Sequence, residues 1–269
     1  KESMSIKQEV LQMLRIKEYV KAASLEEAHE LNQKRSNRVL GGMLWMRMSD
    51  VQVQKAIDLS GLGLDTIEET DTEFIIGAMV TLRELELHSA LNDYFENAIR
   101  DAVQDIVGVQ FRNLATVGGS VFGRFGFSDV LTVLLSLHTS VELYKGGIVS
   151  LEEFAQMKRD NDILVNVRIA KTPGHFAYLT HRNTKTDFPV LAVSASKIGE
   201  EIRVAVGARP MKAELLGAGD LSEESAKKLA AQVKTDSNMR ASAKFRSHLA
   251  EVLIIRCFDK IKDVEKEEK

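Results

Sequence analysis

The stretch RNLATVGGSVFGRFGFSD, residues 112–129, decides how the rest of the sequence is interpreted. An apolar lead-in breaks at Gly118-Gly119, and an apolar run, VLTVLLSL, follows. Two adjacent glycines lack the Cβ atoms that keep a backbone away from a ligand, and such a loop can aim several N–H groups at one anion. The stretch predicts either a phosphate-binding loop or a plain strand-end turn. It leads into a buried helix that begins at Ser128 or Asp129.

A second glycine pair, Gly41-Gly42, also follows a short apolar segment, Val39-Leu40. Two such loops in one domain could face the same diphosphate from either side. Neither loop has the GxGxxG pattern, with an acid about 20 residues later, that binds dinucleotides in Rossmann folds. Neither has the GK[ST] sequence of a P-loop. A different type of nucleotide site is therefore expected.

The composition limits the function classes. A net charge of −3 argues against nucleic acid as a partner. No apolar run reaches the ~20 residues that span a bilayer, and the N-terminal residues have no apolar signal region. The single cysteine, Cys257, excludes an internal disulfide and a Cys₄ cluster within this sequence, and it fits a reducing, cytoplasmic compartment. The histidines show no metal-binding or catalytic spacing, so we predict no metal and no catalytic side chain, and a cofactor must carry any chemistry.

The order of patterns predicts an α+β protein of two units that meet near residue 157. Capping boxes predict helix starts at Ser24, Thr81 and Ser150. A longer helix is expected over residues 91–107, and alternating apolar residues predict a strand over residues 163–170. In the second unit three strands (176–180, 190–197 and 202–208) precede two helices, of which the last covers residues 241–261.

From about residue 16 to residue 258 the sequence resembles the FAD-binding medium subunit of the molybdenum hydroxylases, the xanthine dehydrogenase and CO dehydrogenase group. The motifs that carry the resemblance are, in the family's order, YVKAASLEEAHEL, VLGG, IIGAMVTLREL, RNLATVGGSVFGRFGFSDV, GARPMKA and ASAKFRSHLAEVLIIRCF. It implies a p-cresol methylhydroxylase-type FAD-binding domain of two subdomains over residues 14–156. A CO dehydrogenase flavoprotein C-terminal-like domain, a three-stranded antiparallel sheet with helices, would follow over residues 157–264.

The resemblance also implies which residues bind FAD. The first glycine loop (residues 40–45) and the second glycine loop (residues 116–120) would hold the diphosphate through backbone amides, and Asp129 would accept a hydrogen bond from a ribose hydroxyl. For Asp129 the alternative is a simple helix cap. The implied cofactor-binding set is Leu40, Gly41, Gly42, Met43, Leu44, Trp45, Thr116, Val117, Gly118, Gly119, Ser120 and Asp129.

The sequence departs from the family in three places, of which the mildest is Ser120 in the second loop, where Asn is common. The first loop usually reads GGTD, whereas this chain has Met43-Leu44 after the glycines. The segment HRNTKTDF, residues 181–188, only loosely follows the family's RR-x-x-DI, so Arg182 and Asp187 are candidates for flavin contact rather than assigned ligands.

The function implied is electron transfer in a multi-subunit enzyme. Electrons would pass from iron–sulfur clusters on a partner chain, which serves a molybdopterin-binding subunit, through FAD to NAD or another acceptor. One alternative is a non-catalytic scaffold subunit with a degenerate flavin site. Another is a self-sufficient flavin reductase on the related fold of the cell-wall UDP-sugar reductases.

Overall fold

The computed structural model describes residues 13–267, which form three β-sheets and a set of mostly short helices. The elements follow one another as β1 (Arg15–Lys21), α1 (Leu25–Asn32), β2 (Arg38–Leu40), α2 (Leu44–Arg47), β3 (Gln52–Asp58), β4 (Ile67–Glu69), β5 (Glu73–Gly77), α3 (Leu82–Leu87), α4 (Ser89–Tyr94), α5 (Ala98–Val103), α6 (Val109–Arg112), α7 (Val117–Phe122), α8 (Asp129–Ser136), β6 (Thr139–Leu143), β7 (Gly147–Ser150), α9 (Leu151–Gln156), β8 (Leu164–Ala170), β9 (His175–Arg182), β10 (Pro189–Ile198), β11 (Glu201–Gly207), β12 (Glu214–Ala218), α10 (Glu223–Gln232) and α11 (Ala243–Glu267).

The first sheet is small and parallel, with strand order β1-β3-β2. Helix α1 connects β1 to β2, as parallel strands require a crossover. Its predicted start is confirmed, because the Ser24 hydroxyl accepts from the Glu27 amide at 3.1 Å. The last residue of β2, Leu40, is buried and leads directly into Gly41-Gly42. The sheet thus fixes where the first glycine loop begins.

The second sheet is antiparallel, with strand order β4-β5-β8-β6-β7. Its central strand is β8, which pairs with β5 on one side and β6 on the other. The strand predicted over residues 163–170 is therefore present, but it lies after the predicted boundary at residue 157. Because β8 completes the sheet of the first unit, we propose that the boundary follows Ala170.

The third sheet is antiparallel and has four strands, in the order β12-β11-β10-β9. The three predicted strands are present as β9, β10 and β11. The expected number of three was too small, because β12, a short segment with Gly217 in its middle, gave no clear strand pattern. Both faces of the sheet are covered. Phe176 and Tyr178 pack into the core of the first unit, whereas Ala177 packs with α10 and α11 on the opposite face.

The single helix predicted over residues 91–107 is divided. Glu96 and Asn97 have φ values of +49° and +63°, and this left-handed backbone separates α4 from α5. Helix α8 is present as expected, with all eight residues buried and with Ser128 as its N-cap. In the described part of the chain no helix has the length and apolar character needed to cross a membrane.

Arg246 shows how the last helix is fixed to the third sheet. The side chain is fully buried, and its guanidinium donates to the Val190, Asp236 and Ala241 carbonyls.

We expect Arg246→Met to lower the free energy of unfolding by about 3 kcal/mol, because buried carbonyl groups would lose their donors. Urea unfolding followed by circular dichroism measures this change. Arg256→Met, on the exposed side of the same helix, is the matched control and should change stability by less than about 0.5 kcal/mol. Equal unfolding free energies for the two variants would contradict the role of Arg246 in fixing the last helix to the third sheet.

Candidate functional site

The two glycine loops begin differently. The first leaves β2, passes Met43 in a left-handed conformation (φ +60°) and enters α2. The second was expected to follow a short strand, and this was wrong: Gly118 and Gly119 lie in the first turn of α7, and Thr116 is the N-cap. In place of the expected strand, Thr116 forms an isolated β-bridge with Thr81.

The two loops touch one another. A Cβ atom added to Gly42 would lie 1.9 Å from the Leu114 carbonyl oxygen, and one added to Gly41 would lie 2.9 Å from Thr116 Oγ1. Gly118 is packed as closely on the other side, where a Cβ would lie 2.6 Å from the Ala78 oxygen. Glycine is therefore required for the close approach of the backbones.

The amides of the two loops have different partners. In the second loop, Val117 N–H donates to the Val80 oxygen and Gly118 N–H to the Ala78 oxygen, each at 2.8 Å. In the first loop, the amides of Gly42, Met43 and Leu44 donate to no acceptor among residues 13–267. Amide groups without internal partners are suited to phosphate oxygens. Most of the donors that remain for an anion therefore lie in the first loop, beside the second.

A cavity of about 220 Å³, which we call the cleft, opens on one side of the loops. Its walls are largely apolar and include five aromatic side chains. Phe111 is one of them, and the other four, Trp45, Phe125, Phe127 and Phe188, contact one another. Trp45 stacks on Phe188 with ring centroids 5.6 Å apart. The phenylalanines were not predicted from the sequence, although Phe125 and Phe127 flank a glycine shortly after the second loop.

A larger cavity of about 510 Å³, the groove, lies on the other side of the loops. Its wall carries four cationic residues (Lys34, Arg35, Arg38 and Arg159) and two acids (Asp160 and Asp162). The cleft and the groove share Gly41, Thr116 and Gly119. The glycine loops thus lie at the junction of two cavities.

The predicted cofactor residues are distributed over this junction. The cleft is lined by Gly41, Gly42, Met43, Leu44, Trp45, Thr116, Gly119, Ser120 and Asp129. Leu40 and Gly118 line the groove. Val117 is fully buried in the core and lines neither cavity. Within residues 13–267 no cluster of three or more His, Cys, Asp or Glu side chains could hold a metal ion.

Asp129 lines the cleft, but its carboxylate is already bound. It accepts a hydrogen bond from the Tyr178 hydroxyl, and Arg182 Nη2 lies 2.9 Å from its other oxygen. Burial raises the pKa of Asp129, and the positive charge of Arg182 and the Tyr178 hydrogen bond oppose this. Burial and the nearby carboxylate raise the pKa of Tyr178 well above 10. A role for Asp129 at a ribose hydroxyl stays a prediction.

Arg182 and Asp187, the two candidates from the loosely matching segment, both line the cleft. Arg182 is almost fully buried, and its Nε has no hydrogen-bond partner among the described residues. Asp187 is paired with Arg240 at 3.0 Å, and the hydrogen bonds from Arg240 lower the pKa of Asp187. The second unit therefore contributes charged residues to the wall of the cleft.

Residues 12–171 match the family model described as the FAD binding domain in molybdopterin dehydrogenase. This chain belongs to that family. Its cofactor is accordingly FAD, and the loops and cavities described above lie within or beside the matched residues.

The uncharacterized protein YgfM of Escherichia coli (strain K12) is 27% identical over 143 residues, which is 52% of this chain and 54% of that protein. The chain thus spans about half the length of the curated relatives it matches.

Solved structures share the fold at low identity. A chain of the CO dehydrogenase from Oligotropha carboxidovorans has a TM-score of 0.80 at 21% identity, covering 91% of this chain and 97% of that one. A chain of quinoline 2-oxidoreductase from Pseudomonas putida 86 has a TM-score of 0.76 at 20% identity, covering 91% and 96%. The α+β fold predicted from the resemblance is confirmed.

We expect Gly42→Ala to weaken FAD binding at least tenfold, because the added Cβ would push the first loop away from Leu114. FAD titration followed by flavin fluorescence measures this. Gly219→Ala is the control, since a Cβ there meets no atom within 4 Å. FAD affinity that is equal in the two variants would show that the close contact is not required.

We expect Tyr178→Phe to lower the free energy of unfolding by about 2 kcal/mol, because the buried Asp129 carboxylate would lose a hydrogen-bond donor. Thermal and urea unfolding measure this change in stability. Tyr144→Phe, at a partly exposed tyrosine, should have a much smaller effect, and a comparable loss in both would contradict the role given to the Tyr178 hydroxyl.

Proposed function

We propose that this chain is the FAD-carrying electron-transfer subunit of a multi-subunit molybdenum hydroxylase, similar to xanthine dehydrogenase. The observation that carries the proposal is the contact between the two glycine loops at the junction of two cavities. FAD has two ring systems joined through a diphosphate. A diphosphate at the loops would leave one ring system to the cleft and the other to the groove.

The residues of the site would act by binding and orienting the cofactor. Bound FAD supplies the redox chemistry. The free amides of Gly42, Met43 and Leu44 would donate to phosphate oxygens. The aromatic wall of the cleft would pack against a planar ring and exclude water from it. The cationic residues of the groove would favour the negative charge of the diphosphate.

In this proposal the electrons come from iron–sulfur clusters on a partner chain, which receive them from a molybdopterin-binding subunit. The sequence has one cysteine, and iron–sulfur clusters are held by several cysteine thiolates. Cys257 is fully buried, and burial raises its pKa to about 12, so it remains an inert thiol. We therefore place the clusters on another chain of a cytoplasmic assembly, with NAD or another oxidant as the final acceptor.

Met43 is the feature that favours the second candidate, a scaffold subunit without flavin. Met43 replaces the polar residue that is usual in the family. Its φ of +60° is a backbone conformation that residues other than glycine rarely adopt. Two observations argue against this candidate. The amide groups of the first loop have no acceptor among residues 13–267, and a cavity, the cleft, lies beside them.

FAD binding separates the two candidates. Trp45, the only tryptophan, lines the cleft, so its fluorescence should be quenched when FAD is added. We expect saturable FAD binding and at least tenfold weaker binding of FMN, because FMN lacks the diphosphate and the second ring system. No change in fluorescence and no retained yellow colour at high FAD concentration would support the scaffold.

A separate experiment tests whether this chain is a subunit of a larger assembly. The chain should be purified from its native host under mild conditions, and the co-purifying chains should be analysed for iron and molybdenum. Both metals are expected in stoichiometric amounts with the complex. A chain that binds FAD but purifies alone and oxidises NADH with a soluble substrate would point to the flavin reductase instead.

A further inference from the structure

A third cavity, which we call the side cavity, lies behind the aromatic wall of the cleft. Its volume is about 470 Å³. It shares Trp45, Phe127, Phe188 and Pro189 with the cleft, so these residues separate two spaces. The opposite wall comes from the second unit, from the loop that follows β11 and from residues 238–240 just before α11.

The walls of the side cavity are held in place by backbone contacts. The Ala208 amide donates to the Gly126 oxygen at 2.8 Å. A Cβ on Gly126 would lie 2.5 Å from the Met211 oxygen, so the two chain segments are in direct contact. The side cavity is thus a formed space between the two units, the position at which small-molecule sites are common.

The charged residues in its lining are all cations. Lys212 and Arg240 line the side cavity, and no aspartate or glutamate does so among the described residues. Asp187 binds both Nε and Nη2 of Arg240 and fixes the orientation of the guanidinium. Lys212 is exposed and donates to a single carbonyl, that of Ala155, so its ammonium group can also reach a ligand.

Aromatic residues form one wall of the cavity. Trp45 and Phe188 stack at an interplanar angle of 29°, and Phe127 meets the Phe188 ring edge-on at 4.8 Å. The guanidinium of Arg240 lies 4.8 Å from the Phe188 ring centroid. Such a wall suits a planar conjugated ring, and a cation at its edge suits an acidic substituent.

We propose that the side cavity binds a second ligand besides the cofactor, a small planar conjugated ring compound that carries a negative charge. A volume of about 470 Å³ accommodates two or three fused rings. The aromatic side chains contact the ring, and Lys212 pairs with the acidic group. This inference goes beyond the flavin site and does not depend on FAD being bound.

The test uses anthraquinone-2-sulfonate and the full chain, and it compares FAD-free with FAD-saturated protein. Equilibrium dialysis measures binding in both states, because FAD is expected to quench Trp45; in FAD-free protein Trp45 fluorescence is a second signal. We expect saturable binding in both states. The neutral analogue 2-(hydroxymethyl)anthraquinone should bind at least fivefold more weakly, because it lacks the charge that Lys212 recognises.

Lys212→Met should reduce the affinity for the sulfonate to that for the neutral analogue and leave FAD affinity unchanged. Lys244→Met, which removes an exposed lysine outside the cavity, is the control and should change neither. Equal affinity for the two anthraquinones, no effect of Lys212→Met, or full displacement of the sulfonate by FAD would each overturn the proposal. If FAD fails to bind, the comparison of ligands and variants still decides it.

Discussion

The close approach of the first glycine loop to the chain just before α7 is the constraint on which the site depends. Because Gly42 lies against the Leu114 carbonyl, no side chain separates the two segments. In the second loop, the amides of Val117 and Gly118 donate to carbonyl oxygens of the core and fix the loop there. In the first loop, the amides of Gly42, Met43 and Leu44 have no acceptor among residues 13–267. One loop thus provides rigidity and the other provides hydrogen bonds, and preorganised donors lower the entropic cost of binding.

The two units are joined more closely than a linear division implies. Tyr178 and Arg182 of β9 meet Asp129 of α8 in a buried polar contact. Because removing one member of a buried charged pair is costly, this contact fixes the orientation of the third sheet against the first unit.

Much of this could be predicted from the sequence. The capping boxes and the alternating strand are local signals, and each was found where it was expected. Of the two glycine pairs only the first follows a strand, because the second lies in the first turn of a helix. The fourth strand was missed because β12 is short, and the break between α4 and α5 was missed because Glu96 and Asn97 give no Gly or Pro signal for their left-handed conformation. The engagement of Asp129 and the gathering of four aromatic rings depend on residues far apart in sequence. No local pattern reveals them.

The loop that joins β9 to β10 and the strand ends beside it form part of the wall of the cleft, through Arg182, Asp187, Phe188 and Pro189. A molecule held there touches both halves of the protein at once. Its binding free energy is therefore coupled to the docking of those halves, and occupancy should raise the melting temperature of the whole chain in a single transition. The flavoprotein would then be most resistant to proteolysis when loaded, so cofactor supply would control how long the chain survives.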